Sequence, residues 1–215
     1  MTELMRRRRA LMGMQKSGGR LPAEYQEVEY IDGHSGPAID TGISATIDTV
    51  VKYCFKRTSD ASYANPYPAV FGSMSPKYVL SYRANYINVY ITIGGMTDKP
   101  PNPQTDLSSG FHDIEISSTA YKADGVTTAS YSQPSFTPDP NGTIYVFGRR
   151  STSYTLERQC SGQFKYFQIY QGGLLVCDLV PCYRKSDSVV GMYDLVAQAF
   201  RTNIGTGSFT KGADV

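Results

Sequence analysis

Apolar residues along most of this chain recur at every second position, and the runs are short. Ile87, Val89, Ile91 and Ile93 alternate with Tyr86, Asn88, Tyr90 and Thr92, the signature of a strand with one buried and one outward face. Ala45 to Phe55 carries Ile47, Val51, Tyr53 and Phe55 in the same step, and Gln26 to Ile31 places Val28 and Tyr30 on one side. Further strands are predicted at 69–72, 78–82, 111–117, 120–123, 143–148, 163–170, 174–183 and 188–195. Turns punctuate them: Ala123-Asp124-Gly125, Asn141-Gly142, Gln171-Gly172-Gly173, and proline-rich loops at 94–110 and 132–142. No helical period interrupts the series and no internal repeat is visible. The pattern predicts an all-β, two-sheet antiparallel sandwich or jelly roll.

One segment breaks the alternation. From Thr2 to Lys16, Leu4, Met5, Leu11 and Met12 recur at a seven-residue interval, with Arg6, Arg7, Arg8 and Arg9 between them. This spacing predicts a short basic amphipathic helix, too short to be stable alone. Ser17-Gly18-Gly19 would end it as a hinge. The expected organisation is therefore an anchor segment over 1–20 and a β-sandwich over 21–212. The arginines either touch RNA, DNA or a carboxylate-rich partner, or form the solvated face of the helix. Gln15, Lys16, Ser17 and Gly18 follow where a secretory signal needs an apolar core, so synthesis in a cytosol is expected. No stretch approaches the ~20 apolar residues that span a bilayer, so no membrane insertion is expected.

Composition supports a sheet protein. Of 215 residues, 17 are tyrosine and 20 glycine, and only 19% are charged. The net charge of +2 provides no global attraction to nucleic acid or acidic membranes. Cys54, Cys160, Cys177 and Cys182 form no close pairs, and with two histidines they read as buried free thiols rather than zinc ligands. Cys177 shares a strand face with Leu175 and Leu179 in this reading.

Both ends of the β region resemble laminin-G-like, concanavalin-A-like jelly-roll proteins encoded in phages and prophages of gut bacteria. The opening match is Leu21-Pro22-Ala23-Glu24-Tyr25-Gln26-Glu27-Val28-Glu29-Tyr30-Ile31, followed by Ile39-Asp40-Thr41-Gly42-Ile43. The closing match runs through Gly162-Gln163-Phe164-Lys165-Tyr166-Phe167-Gln168-Ile169-Tyr170, Val180-Pro181-Cys182-Tyr183-Arg184-Lys185, Gly191-Met192-Tyr193-Asp194-Leu195 and Gly207-Ser208-Phe209. The resemblance implies a non-enzymatic virion structural protein, assembled in the bacterial host cytoplasm and displayed on a tail or head. It implies a homo-oligomer whose segment of Leu4, Met5, Arg6, Arg7, Arg8, Arg9, Leu11 and Met12 docks onto other virion proteins, and a sandwich that meets cell-surface glycans. It also implies that Tyr166, Phe167 and Ile169 are core and Gly191 a turn. A free lectin-like carbohydrate-binding module is the alternative, and a glycoside hydrolase a further one.

The candidate chemistry is sparse. Tyr82, Tyr86 and Tyr90 fall at even intervals with Arg83 and Asn88 beside them, a set suited either to sugar binding or to covering a sheet or subunit contact. Asp113 and Glu115 share a strand face at about 6.5–7 Å, within the span of an inverting glycosidase pair. Simple alternation, with His112, Ile114 and Ile116 inward, explains them as a solvent-facing strand edge, and that is the expectation. Asp98, Asp106, Asp139 and Asn141 could offer Ca2+ oxygen ligands, but their spacing matches no calcium loop, and no metal or cofactor is expected. No Gly-x-Ser-x-Gly occurs, so no Ser/His/Asp catalysis is expected. Asn141-Gly142-Thr143 reads as a turn rather than a glycosylation site.

Overall fold

The computed structural model describes residues 20–34, 36–58, 68–82, 89–94, 96–98, 106–130, 132 and 135–215, with backbone alone for 82, 89, 90 and 96–98. The basic segment at 1–19 lies outside the described residues, and no helix occurs among those described. In chain order the strands begin with β1 (Tyr25–Glu27), β2 (Ile31–Gly33), β3 (Ile39–Ser44) and β4 (Val50–Arg57). Next come β5 (Ala69–Met74), β6 (Lys77–Tyr82), β7 (Val89–Ile93) and β8 (Met96–Asp98). The third group is β9 (His112–Ile116), β10 (Ala120–Ala123), β11 (Val126–Ser130), β12 (Thr143–Val146), β13 (Arg149–Arg150) and β14 (Leu156–Glu157). The last is β15 (Gly162–Gln171), β16 (Leu174–Arg184), β17 (Val190–Asp194), β18 (Ala199–Arg201) and β19 (Thr210–Lys211).

These strands pair into two sheets that face each other as a sandwich. The larger runs β11-β10-β9-β4-β15-β16-β17-β18, with β2 beside β15, β1 beside β16 and β19 beside β2. The smaller runs β14-β13-β5-β6-β7-β8, with β12 joining β3 to β5. Pairing is antiparallel except between β13 and β5, where Arg150 lies opposite Ser73 in parallel. The C-terminal residues complete the larger sheet: Val28 bridges Asp214, and the Val215 N–H donates to Glu27 O.

The alternation read from the sequence sets the interior. Val51, Tyr53 and Phe55 of β4 meet Phe164, Phe167 and Ile169 of β15, and Phe71, Tyr78, Leu80, Ile91 and Ile93 of the smaller sheet close over them. The contact is aromatic: Phe71 lies 5.5 Å from both Tyr53 and Phe167, centroid to centroid. Rings at such separations add favourable edge-to-face contact to their area burial. The Tyr78 hydroxyl crosses the sandwich to within 2.9 Å of Thr49 O and 3.1 Å of Ile116 O, satisfying its polar end.

Bulges explain where strict alternation misleads. Phe164 lies opposite Phe55, but Tyr166 lies opposite Cys54, so Lys165 is an extra residue on β15. Phe164 and Phe167, three apart, both point inward. Tyr166, expected in the core, turns outward to bond Asp113. A second bulge pairs Ile169 with Cys177 but Tyr170 with Leu175, so Leu175 leaves the face of Cys177 and Leu179 and becomes exposed. The predicted strand over 26–31 is two strands, β1 and β2, with Val28 and Ile31 buried instead of Val28 and Tyr30. Ile47 sits in a turn before β4. Gly191 lies within β17, where a Cβ would come 2.4 Å from Arg201 O; the glycine serves close strand approach, not a turn.

The four cysteines are buried free thiols. Burial pushes the Cys54 and Cys182 thiols up to about 12, and Cys160 and Cys177 upward as well, so the reactive thiolate is scarce at neutral pH.

Candidate functional site

Of the residues predicted to bind sugar, Arg83, Tyr86 and Asn88 lie outside the described residues. Tyr82 ends β6 opposite Val89, and Tyr90 of β7 lies opposite Ser81; their backbones alone are described. The anchor residues Leu4, Met5, Arg6, Arg7, Arg8, Arg9, Leu11 and Met12 also lie outside them.

Asp113 and Glu115 share the outer face of β9, as alternation requires. Each is already engaged. Glu115 accepts from Lys122 at 2.6 Å and pairs with Lys52 at 2.8 Å through its other oxygen. Those two ammonium groups hold its carboxyl below the usual glutamate range, so it stays ionised at neutral pH and has no proton for a leaving group. Asp113 accepts from the Tyr166 hydroxyl at 2.8 Å. The ladder continues across β15 and β16, where the Gln168 amide donates to Asp178 at 3.0 Å.

Among the described residues, no group of three or more His, Cys, Asp or Glu side chains is placed to hold a metal ion. Asp106 accepts from the Ser108 hydroxyl and amide, as an ordinary turn former does. The Asp139–Gly142 segment is the turn expected from Asn141-Gly142, closed by Gly142 N–H to Asp139 O at 3.0 Å.

That turn belongs to a more informative cluster. β12 runs between β3 and β5, placing Tyr145 opposite both Asp40 and Gly72 on the outer face. The chain then turns at Phe147, whose φ is +66°, and returns as β13 with Arg150. The Arg150 guanidinium lies 5.4 Å from the Tyr145 ring centroid and 5.1 Å from that of Tyr154. It donates to Thr143 Oγ1 at 2.6 Å and lies 3.9 Å from Asp40 Oδ2. Tyr154, in the turn after β13, is 44% exposed, and its hydroxyl donates to Asp139 Oδ2 at 3.0 Å.

Asp139 organises the rim. It also accepts from the Ser75 hydroxyl at 2.7 Å and the Asn141 N–H at 2.9 Å, and these bonds hold its carboxyl below the ordinary aspartate range. Gly142 makes the approach possible, because a Cβ there would sit 1.2 Å from Ser75 O. Ser44 ties the turn to the larger sheet: its hydroxyl donates to Pro140 O, and its own carbonyl accepts from Gln171. The result is a half-exposed aromatic ring with a cation over it. Asp40 approaches that cation, Asn141 belongs to the turn that holds Asp139, and the Ser153 and Thr155 hydroxyls lie 3.0 and 2.8 Å from Ser151 Oγ. An alternation reading misses this set because β13 is two residues long and the reversal at Phe147 carries no periodic signal. The legible hint is Arg149-Arg150 between Tyr145 and Tyr154 in a Ser/Thr-rich stretch.

Ser109, His112 and Asp124, a set that no motif in the sequence marks, come within hydrogen-bonding distance at the opposite end of the larger sheet.

No family model matches the chain, and no curated protein matches it. Among solved structures it is similar to one from Bacteroides ovatus, provisionally described as a carbohydrate binding protein, with a TM-score of 0.56 and 12% identity. The alignment covers 88% of this chain and 62% of that one, so the chain spans under two thirds of its neighbour's length. At this identity the likeness shows the fold alone: an all-β sandwich.

Proposed function

We propose that this chain is a carbohydrate-binding, lectin-like module built on a jelly-roll sandwich, with Tyr154 and Arg150 at the centre of its glycan site. The carrying observation is the exposed Tyr154 ring, backed by Arg150 and pinned by Asp139, with hydrogen-bonding side chains around it. A pyranose presents an apolar face to an aromatic ring and hydroxyls at its edge, and this surface offers partners for both. The fold shared with the Bacteroides ovatus protein supports the same reading. A shallow site of this kind binds weakly and gains from repetition. The test is a glycan array printed with bacterial and host polysaccharides and probed with the full chain at high density. Binding to a defined set supports the reading; a blank array with and without Ca2+ ends it.

A second reading places the module on a phage or prophage-derived particle as a homo-oligomer, held by residues 1–20. Its support is the resemblance at both ends of the β region, the Leu4/Met12 stripe and the way the chain enters the sandwich. β1 pairs with the Arg184 end of β16, whereas the rim is tied to the Leu174 end, roughly 33 Å away at ~3.3 Å per residue. Anchor and ligand site would then sit at different ends. Light scattering of the full chain and of a chain starting at Leu21 tests this. A defined oligomer that becomes a monomer on truncation supports it, and unchanged mass in both counts against it.

A further inference from the structure

At the end of the larger sheet away from the rim, residues 106–109 form a tight turn in which the Ser109 N–H donates to Asp106 O at 3.1 Å. The turn sets the Ser109 hydroxyl 3.0 Å from Nε2 of His112, the first residue of β9. Nδ1 of the same ring lies 2.8 Å from Asp124 Oδ2. Asp124 occupies the β10–β11 turn at a φ of +51° and is locked to β9 on both sides. Its Oδ1 accepts from the Asp113 N–H at 2.9 Å, and its own N–H donates to Asp113 O at 2.7 Å. A carboxylate only accepts, so Nδ1 carries the imidazole proton and Nε2 of the neutral ring is left to accept from Ser109.

We propose that Ser109, His112 and Asp124 are a nucleophile, general base and orienting carboxylate for the hydrolysis of small acyl esters. The Ser109 Oγ adds to the acyl carbonyl while its proton passes to His112 Nε2. The bond from the carbonyl carbon to the ester oxygen then breaks, and the departing alcohol takes that proton. Water adds to the acyl-serine, giving a proton to Nε2. Ser109 recovers that proton as the carboxylic acid leaves. Asp124 is the positioning residue, holding the ring in the tautomer that can accept.

The surroundings define the substrate class. Ser109 is exposed, and Gly110 beside it has open space where a Cβ would stand, so no wall selects a long acyl chain. The Phe111 ring is taken up by its own neighbours, 5.9 Å from Tyr30 and with the Lys165 ammonium 4.4 Å from its centroid. An open nucleophile of this kind suits a short acyl group, such as acetyl.

The Ser109 hydroxyl also lies 2.8 Å from Asp106 O. Attack therefore needs the hydroxyl to turn from that carbonyl to Nε2.

The test is covalent labelling of the folded full chain with a fluorophosphonate, mapped by mass spectrometry, alongside p-nitrophenyl acetate turnover. The expected result is an adduct on Ser109 formed at least about a hundredfold faster than on neighbouring exposed Ser108. Ser109→Ala abolishes adduct and turnover. Asp124→Asn, which keeps a residue tolerant of the left-handed turn, slows both while leaving the circular dichroism unchanged. Labelling of Ser109 no faster than of Ser108 in the native chain would overturn the proposal and leave the three residues as a turn-stabilising network.

Discussion

Two charged clusters sit on the outer faces of this sandwich, and they differ in what remains available to a ligand. Across β10, β9 and β4, Lys122, Glu115 and Lys52 form a closed ladder in which both carboxylate oxygens are taken. At the rim of the smaller sheet, Arg150 stacks between Tyr145 and Tyr154, and Asp139 spends its acceptors positioning that second ring. The ladder consumes its own hydrogen-bonding capacity. The rim uses its charges to hold an aromatic face toward solvent. Number of charges therefore says little about function; what matters is whether the network terminates in itself or in an exposed group.

The two clusters share one core, and the largest perturbation should act on both. Phe167→Ala removes a fully buried ring packed on Phe71, Tyr53 and Phe164, and should cost about 3–5 kcal/mol in urea unfolding. Gly142→Ala should act on the rim alone. Its Cβ would force the 139–142 turn off Ser75, costing about 1–3 kcal/mol and abolishing glycan binding, while the Lys52–Glu115 pair stays intact. Arg150→Ala should weaken binding about thirtyfold, and Arg150→Lys should not restore it, because an ammonium cannot stack between two rings as a guanidinium does. Tyr154→Ala should weaken binding about tenfold and leave the unfolding midpoint unchanged, as expected of an exposed ring.

Glu115→Gln should have the smallest effect, below about 1 kcal/mol, with binding unaltered. It should leave a signature in pH. The carboxyl of Glu115 is held below its ordinary value of 4.5 by Lys122 and Lys52 in the folded state. Its contribution is therefore complete above that value and fades as pH falls through the folded one. Acid unfolding curves of the native chain and of Glu115→Gln should converge in that range and separate above it. Binding lost in Glu115→Gln but kept in Tyr154→Ala would reverse the roles assigned to the two clusters.

Period-two alternation located most strands, the inward residues of β4 and β9, and Ile91 and Ile93 of β7, because burial of one sheet face imposes that period directly. It failed where a bulge inserted a residue. Tyr166 and Leu175 changed faces at the β15–β4 and β16–β15 irregularities, and no composition rule marks either point. The buried state of the cysteines was legible from their isolation. The rim was not, since its members come from a turn, a two-residue strand and the strands around it, and sequence spacing carries no record of their meeting. Ser109 and Asp124 were hidden for the same reason: fifteen positions apart, they meet through His112 only because β9 and β10 are neighbours.

The central claim is that the Tyr154–Arg150 rim is the glycan site. The most direct measurement prints one polysaccharide array in parallel and probes it with the native chain, with Arg150→Ala/Tyr154→Ala, and with Glu115→Gln. The account predicts a defined set of signals for the native chain, the same set for Glu115→Gln, and none for the double variant. Signals that persist in the folded double variant would contradict it and move the binding site elsewhere on the sandwich.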